Sequence, residues 1–265
     1  MRYYKGYIAL SDTCDVPLLV HIRNARAVCF DQLRELLEHS MLAPITRSLH
    51  WRVARLEKAG LVARLNRKHY LGKPVFGITQ QGLECLELRG HSLLSLPSGT
   101  ERILDPSQIL HALELVSIRL AFARAGLLRS WKGELEIASR NLVAADAALK
   151  DYDAIAEIEV DGCARKIGIE YEKSAKSAAR YQAIRRALED DDVSDVVLYV
   201  SPSDDILYLL AMELSPARKR LGFVLSETFH SLFLDARTLT NSNGTEVVPL
   251  RALFEARSVC DPSFD

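Results

Sequence analysis

The sequence predicts an α/β protein with a helix-rich N-terminal domain and a C-terminal domain built on a mixed central sheet. Three observations carry this prediction. Apolar residues recur at helical spacing through most of the first ninety residues. After residue 150, short alternating or wholly apolar runs separate the helical segments. Between the two patterns, a stretch that contains Pro97, Gly99 and Pro106 is typical of a connection. We therefore expect domains at residues 1–92 and 108–265, joined by a linker at residues 93–107.

The composition is that of a globular, cytoplasmic protein. Of the 265 residues, 48% are hydrophobic and 26% are charged, which excludes a disordered chain. No apolar run approaches the roughly 20 residues that a membrane span requires, and the opening stretch MRYYKGYIALSD lacks a secretory signal. The five cysteines are scattered without a CxxC pair, so we expect reduced thiols and neither a zinc site nor disulfides.

The charge is distributed unevenly along the chain. Residues 1–90 hold 14 Lys and Arg against 8 Asp and Glu, a net charge of +6, so the remaining residues carry −7 of the total of −1. The basic excess is strongest at residues 47–73, which hold eight Lys and Arg and a single acid, Glu57. A basic segment on an otherwise acidic protein indicates a polyanionic partner for the first domain. A solvated charged face is the alternative interpretation.

The first domain is predicted to contain four helices and a hairpin. Periodicity and turn residues place the helices at 16–27, 30–38, 45–60 and 79–90, and the two strands at 61–65 and 75–79. This order, together with the string RVARLEKAGLVARL…VFGITQQGLECL, resembles the winged helix-turn-helix family over most of residues 15–90. The alternative for such a domain is a protein-interaction module.

The winged-helix resemblance implies that the third helix enters the major groove of DNA, while the wing touches the backbone or the minor groove. On the third helix the apolar positions Leu49, Val53 and Leu56 face inward. The residues left for the groove are Thr46, Arg47, His50, Arg52 and Arg55, and those of the wing, which would mainly meet phosphates, are Arg67, Lys68, His69 and Lys73. As a lone aromatic residue beside a helix core, Trp51 is expected to pack in the core, and a stacking residue is the alternative interpretation.

The second domain is predicted to surround a mixed sheet with helices. Long helices are expected at 108–128, 173–190 and 204–222, strands at 153–160, 166–172, 195–200 and 223–226, and peripheral strands and turns after residue 227. Residues 131–139 can continue as helix. The first two strands form a hairpin, because Asp161 and Gly162 between them are typical turn residues.

The second strand of this hairpin, KIGIEYE, carries two acidic residues on one face. Alternation places Glu170 and Glu172 on the same side as Gly168, whereas Ile169 and Tyr171 point the other way. Neighbouring carboxylates repel each other, and a Mg²⁺ or Mn²⁺ ion removes that penalty because it takes oxygen ligands from one or two carboxylates and water. The pattern therefore indicates a divalent metal site on this face.

A third carboxylate and a lysine complete the pattern. Asp153 lies near the start of the paired strand, where its side chain can converge on the same point across the hairpin. With a lysine close behind, such a site suits phosphodiester hydrolysis, since the metal activates water and the ammonium stabilises charge on the phosphate. The alternative is a charged strand edge leading into an alanine-rich helix with ion pairs, which needs no active site.

The string YDAIAEIEV…GIEYEKSAKSAARY resembles the PD-(D/E)xK nuclease superfamily, which has the restriction-endonuclease-like fold. The resemblance implies Asp153, Glu170 and Glu172 as ligands of Mg²⁺ or Mn²⁺. Two positions depart from the superfamily pattern: Tyr152 replaces the proline before the first acid, and Glu172 stands where the lysine is expected.

The lysine of the nuclease pattern must therefore come from elsewhere in this chain. Lys176, one helical turn beyond Glu172, is the first choice and Lys173 is the second. Upstream, Glu134 resembles the helix acid that many members of the superfamily add as a further ligand.

A winged helix followed by the pattern ExExxxK…RY resembles the replication-relaxation proteins and the related MOBC-class relaxases of mobilisable plasmids and integrative elements, over roughly residues 15–200. The resemblance implies that the first domain binds double-stranded DNA at a transfer origin and that the second nicks or cuts it, with other mobilisation proteins as candidate partners. The seven histidines are dispersed, which argues against a three-histidine tyrosine relaxase. Two alternatives remain: a non-cleaving transcription or replication regulator with a degenerate nuclease fold, and a protein-interaction scaffold.

Overall fold

The protein's structure is a computed structural model, and it describes residues 8–40, 47–65, 72–96, 104–143, 150–241 and 246–255. Helices accompany a mixed seven-stranded sheet and a small antiparallel sheet, which confirms the predicted α/β class. The chain forms two compact units. The first unit comprises residues 1–124 and 132–151, and the second comprises residues 125–131 and 152–265.

The first unit is mainly helical. Its helices are α1 (Asp15–Ala25), α2 (Phe30–His39), α3 (Leu49–Lys58), α4 (Gln80–Glu87), α5 (Pro106–Arg124) and α6 (Glu134–Asn141), and its strands are β1 (Val28–Cys29), β2 (Val62–Leu65) and β3 (Val75–Ile78). The strands form an antiparallel sheet in the order β1-β3-β2. The four helices and the hairpin predicted for residues 16–90 are all present.

Apolar stripes on these helices form one core. Leu49, Val53 and Leu56 of α3 are buried, as their spacing predicts, and they belong to the same cluster as Leu19 of α1. Gly82 is required at the start of α4, because a Cβ there would lie 2.3 Å from the Leu61 carbonyl oxygen. This close approach holds α4 against the end of the α3–β2 connection.

The long helix α5 packs with the first unit, whereas the sequence prediction assigned it to the second domain. Its buried residues Val116 and Leu120 join the apolar cluster of the N-terminal helices. The Gln32 Nε2 atom on α2 donates hydrogen bonds to the Leu113 carbonyl oxygen at 2.8 Å and to the Ser117 Oγ at 3.0 Å. An apolar stripe indicates that one face of a helix is buried, but it does not indicate which neighbouring element packs against that face.

The second unit is built on the large sheet. The strands are β4 (Leu128–Gly133), β5 (Ala154–Val160), β6 (Cys163–Tyr171), β7 (Val196–Ser201), β8 (Leu221–Leu225), β9 (Arg237–Thr240) and β10 (Val247–Pro249), and the helices are α7 (Ala178–Glu189), α8 (Asp204–Leu214), α9 (Ser226–Leu232) and α10 (Leu250–Phe254), with a 3₁₀ turn at Phe233–Asp235. The strand order is β10-β9-β8-β7-β6-β5-β4.

The predicted hairpin of β5 and β6 is confirmed. Asp161 and Gly162 between the strands both have positive φ angles, 50° and 76°, as a tight two-residue turn requires. The strands are antiparallel, with Ala154 opposite Ile169. Strands β6, β7 and β8 run parallel, joined by α7 and α8, so the sheet is mixed as predicted.

Three local predictions differ from the structure. Residues 128–133 are a strand rather than helix, because they extend the sheet beyond β5. Residues 173–177 are not helical, since α7 begins only at Ala178, where the Ser177 Oγ accepts a hydrogen bond from the Arg180 N–H at 3.3 Å. The segment after residue 225 includes helices as well as the expected strands. Of the described helices, none is both long and apolar enough to cross a membrane.

Candidate metal centre and nucleic-acid interface

The predicted carboxylates lie at one end of the β5–β6 hairpin, in the second unit. Ala154 pairs with Ile169, so the antiparallel register places Asp153 opposite Glu170. Opposed residues of an antiparallel pair have Cβ atoms about 5 Å apart. The Asp153 Oδ2 atom also accepts a hydrogen bond from the Tyr171 N–H at 2.8 Å. The first acid is therefore anchored to the strand that carries the other two.

A tyrosine ring covers the neighbouring part of the same face. Tyr152 is buried, and its ring lies against Gly168, where a Cβ would be only 2.7 Å from a ring carbon. Its hydroxyl group donates to Asp191 at 2.8 Å and lies 3.2 Å from the Ser194 hydroxyl. Tyr152 thus fills the space over Gly168, two residues before Glu170 on β6.

Glu172 is the most buried of the three acids, with 9% of its surface exposed. Its backbone N–H bonds the Val200 carbonyl oxygen at 3.0 Å, which extends the pairing of β6 with β7. Its carboxylate accepts a hydrogen bond from the Ser174 N–H at 3.2 Å and forms an ion pair with Lys176. Lys176 is itself held by a hydrogen bond from its backbone N–H to the Tyr181 hydroxyl at 3.1 Å.

One buried hydroxyl group lies beside these carboxylates. Tyr199 of β7 pairs in register with Glu170, and its ring stacks on Phe223 with 5.4 Å between ring centres. Burial, reinforced by the charges of Glu170 and Asp153, holds the pKa of Tyr199 well above its ordinary value. Its oxygen atom has no hydrogen-bond partner among the described residues. Tyr199 thus places an unsatisfied polar group inside the sheet, next to Glu170 in the pairing of β6 with β7.

The donor chemistry of this end of the hairpin fits a hard cation only in part. Asp153 and Glu170 offer two facing carboxylates. Mg²⁺ commonly takes one or two carboxylate ligands from a protein and fills its other positions with water or substrate. Glu172, however, is turned to Lys176 and Ser174. In the part of the chain that the structure describes, no group of three or more acidic, His or Cys side chains converges on one point.

Glu134, predicted as a further ligand, belongs to the first unit. It is the first residue of α6 and is exposed to solvent. Its carboxylate forms an ion pair with Arg26, which follows α1.

Two of the predicted DNA-contact residues are open to solvent on or beside α3. Arg47 is exposed just before the helix. His50 is exposed as well, and its ring stacks on Phe30 with 3.7 Å between centres and 16° between planes. Lys73, which the sequence analysis places on a wing, is exposed just before β3 and pairs with Asp31 at 2.9 Å. Thr46, Arg67, Lys68 and His69 lie outside the described residues.

The arginines Arg52 and Arg55 are held by a buried carboxylate. Asp15, at the start of α1, is fully buried and forms ion pairs with Arg52, at 2.8 Å, and with Arg55. Burial by itself raises the pKa of Asp15, but hydrogen bonds from the Ser11 N–H and from both guanidinium groups outweigh it and lower the pKa. The two guanidinium groups tie α3 to α1, a role that the sequence analysis did not foresee.

Trp51 is 60% exposed, so the prediction that it packs in the core is wrong. The residue lies on the side of α3 opposite the buried Leu49, Val53 and Leu56. Its neighbours are the two held arginines: the Arg55 guanidinium carbon lies 4.9 Å from the ring centre and that of Arg52 5.8 Å.

The family model described as replication-relaxation matches residues 19–197, which is more than half of the chain. The chain belongs to the replication-relaxation family. The match runs from α1 to β7, so it includes both α3 and the carboxylate end of the hairpin. The family's description indicates a role in DNA replication or relaxation. Comparisons with curated proteins and with solved structures found no match.

For three residues of this replication-relaxation protein, the structure shows surroundings that the sequence did not predict. The exposure of Trp51 was available from helical geometry, because position 51 lies opposite 49, 53 and 56. Tyr199 gave a weaker signal as one of two residues with a hydroxyl group, beside Ser201, in a wholly buried strand. No sequence signal marked Asp15 as a partner of arginines, because an acid in the first turn of a helix is ordinarily explained by its favourable interaction with the helix dipole.

Proposed function

We propose that this replication-relaxation protein is a metal-dependent endonuclease that nicks or cuts DNA at the transfer origin of a plasmid or integrative element. The observation that supports this proposal is the geometry at the end of the β5–β6 hairpin. Asp153 is anchored opposite Glu170, and the ion pair with Glu172 brings the Lys176 ammonium group to the same end. Acids from two strands beside a lysine form the arrangement expected of a phosphodiester-cleaving site.

The first unit is proposed to bind double-stranded DNA as a winged helix. The order of α1, α2, α3, the β2–β3 hairpin and α4, with β1 completing the small sheet, supports this assignment. The basic excess at residues 47–73 falls on α3 and the hairpin that follows it. Because the rest of the chain is net acidic, the first unit supplies most of the attraction for phosphate groups.

In the proposed site, Asp153 and Glu170 would hold a Mg²⁺ or Mn²⁺ ion, with Glu172 as a third carboxylate within the same segment. A bound divalent ion supplies positive charge for the phosphate and acidifies a water molecule. The Tyr171 N–H fixes the Asp153 carboxylate in orientation. Lys176 places an ammonium group where negative charge grows on the phosphate oxygens, and its ion pair with Glu172 positions that group.

The departure of this chain from the superfamily pattern supports Lys176 rather than Lys173 as the acting lysine. Glu172 stands where the superfamily has lysine. The Glu172 carboxylate pairs with Lys176, so an ammonium group from four residues further along the chain lies beside position 172. A positive charge is therefore present at the end of β6, although the residue at position 172 is an acid.

A nicking assay tests the proposal. Supercoiled plasmids that carry the DNA surrounding the protein's own gene are incubated with protein and Mn²⁺, and nicked circles are counted on a gel. We expect nicking by the wild type and its loss in Asp153→Asn, which keeps the size of the side chain. Glu157→Gln is the matched control, because Glu157 is an acid further along β5 that pairs opposite Lys166. Binding of Mn²⁺, followed by the paramagnetic resonance of the free ion, should weaken only in Asp153→Asn.

A non-cleaving regulator is the second candidate. It is favoured by the engagement of Glu172 with Lys176 and by the lack of a preformed three-donor cluster among the described residues. Plasmid that is shifted in a gel but stays supercoiled with Mn²⁺ would establish this candidate. A protein-interaction scaffold would instead show no steep fall of DNA affinity with salt.

A further inference from the structure

The exposed face of α3 follows from its buried face. Leu49, Val53 and Leu56 define the buried side, and successive residues of a helix are about 100° apart. Trp51 lies roughly opposite the mean direction of these three residues, and Ala54 lies beside it on the exposed side. Trp51 is therefore at the centre of the outward face, with the small Ala54 side chain as its neighbour one turn on.

A large aromatic side chain at this place is unusual for a solvent-facing helix. Trp51 is 60% exposed, and the sequence around it, residues 47–73, has eight basic residues against one acid. A basic segment is suited to a polyanionic partner. Within α3, which the structure describes in full, the indole ring is the one large apolar side chain that is exposed.

The indole ring is flanked by a fixed cluster of charges. Asp15 is fully buried and pairs with both Arg52 and Arg55. Their guanidinium carbons lie 5.8 Å and 4.9 Å from the centre of the Trp51 ring, within the range of cation–π attraction. The buried carboxylate therefore holds the two cations that lie beside the ring.

We propose that Trp51 reads thymine methyl groups in the major groove of double-stranded DNA, and this inference rests on the proposed binding of DNA by the first unit. The major groove is about 12 Å wide and admits a helix, and the thymine methyl is the apolar group on its floor. Arg52 and Arg55, held at Asp15, act as the rigid support of the ring, and Arg47 remains exposed for phosphate contact.

A selection experiment tests this inference without knowledge of the target sequence. A pool of random 30-base-pair duplexes is bound to the full-length wild type, and the retained DNA is sequenced. The same pool is applied to Trp51→Ala and to Tyr208→Ala, which removes an equally exposed aromatic side chain from α8. We expect Trp51→Ala to lose a thymine preference at one or two positions, whereas Tyr208→Ala selects the wild-type motif.

Replacing the selected thymines by deoxyuridine isolates the methyl group. The wild type should bind the methyl-free duplex about fourfold more weakly for each thymine methyl that the ring contacts. Trp51→Ala should bind both duplexes equally, because the partner of the methyl group is gone. The salt dependence should stay unchanged in Trp51→Ala, since no phosphate contact is lost, and should fall by about one charge in Arg47→Ala.

The outcomes separate this inference from the proposal beneath it. If the wild type fails to bind any duplex, DNA binding by the first unit is wrong and the role of Trp51 falls with it. If the wild type binds and Trp51→Ala selects the same motif with the same methyl dependence, only the role of Trp51 is overturned. Trp51→Phe guards against a folding defect, because it keeps an aromatic ring and should retain part of the preference.

Discussion

Lys176 forms an ion pair with Glu172 although the residues between them are not helical. Pairs at this spacing ordinarily lie on one face of a helix. Here the chain leaves β6 at Tyr171 and enters α7 only at Ala178, and the hydrogen bond from the Lys176 N–H to the Tyr181 hydroxyl holds the connection. The ammonium group therefore meets the end of β6 because of the loop's path rather than because of helical periodicity.

Removal of the Lys176 ammonium group should slow nicking by on the order of 10²–10³-fold, since one group that stabilises transition-state charge commonly contributes that much. The comparison is between Lys176→Ala and Lys173→Ala in the plasmid assay. Lys176→Arg keeps the pair with the buried Glu172 and separates loss of charge from loss of stability. A larger effect in Lys173→Ala than in Lys176→Ala would transfer the role to Lys173.

Tyr199→Phe should leave the metal-free protein at least as stable as the wild type. The change removes a buried hydroxyl that has no partner among the described residues, and an unsatisfied group of this kind costs about 1–3 kcal/mol. Urea unfolding without divalent ions measures the difference. Tyr152→Phe is the matched control, because its hydroxyl bonds Asp191 and Ser194 and its loss should destabilise by about 1 kcal/mol. Equal destabilisation by both changes would mean that a bound water satisfies Tyr199.

Asp15→Ala should destabilise the first unit strongly. Removing the buried carboxylate leaves two guanidinium groups without their partner, and breaking a buried pair costs about 3–5 kcal/mol, with partial exposure of both arginines favouring the lower end. Asp31→Ala, which breaks the exposed pair with Lys73, should leave the unfolding free energy nearly unchanged. Comparable losses in the two variants, measured by chemical unfolding, would contradict a structural role for Asp15.

The first unit should lose stability between pH 7 and pH 5 because of His21. Burial, with a smaller effect of the Arg119 charge, lowers the pKa of His21 to about 4. In this window the unfolded chain binds a proton near its ordinary pKa of 6.5 while the folded protein does not, so stability falls as the pH falls. The expected loss is about 2 kcal/mol.

Urea unfolding at pH 7, 6 and 5 measures the effect of His21. In His21→Gln, the unfolding free energy should change less between these pH values than in the wild type. Asp15 has a pKa below its ordinary value of 3.8, so its contribution is present at higher pH and is lost only as the pH falls below about 4. A profile that stays steep in His21→Gln would assign the pH dependence to another group.

Local patterns predicted much of the fold and of the candidate site. The hairpin of β5 and β6 followed from alternation and from the residues Asp161 and Gly162, whose positive φ angles the turn requires. The α3 helix followed from the spacing of its apolar residues. Asp153 was expected across the hairpin from Glu170, and the register places it there. The metal ion and the roles of the acids stay predictions.

Other features did not follow from local patterns. Residues 173–177 include two lysines and an alanine, which favour helix, yet the helix begins later because Ser177 caps it and Glu172 stays paired with β7. The assignment of α5 could not be made from its own stripe, since either domain offers an apolar surface.

By itself, the sequence determined the hairpin that carries Glu170, because alternation and the Asp161–Gly162 turn specify two paired strands. That Glu170 and Glu172 share a face stays a prediction. The sequence also determined the family, since the winged-helix string and the acidic pattern lie within the matched residues. Only the tertiary structure decided which lysine meets Glu172 and which carboxylate holds Arg52 and Arg55. Those contacts depend on the path of a loop and on the packing of α1 against α3, which brings together Asp15 and Arg52 across 37 positions of the chain.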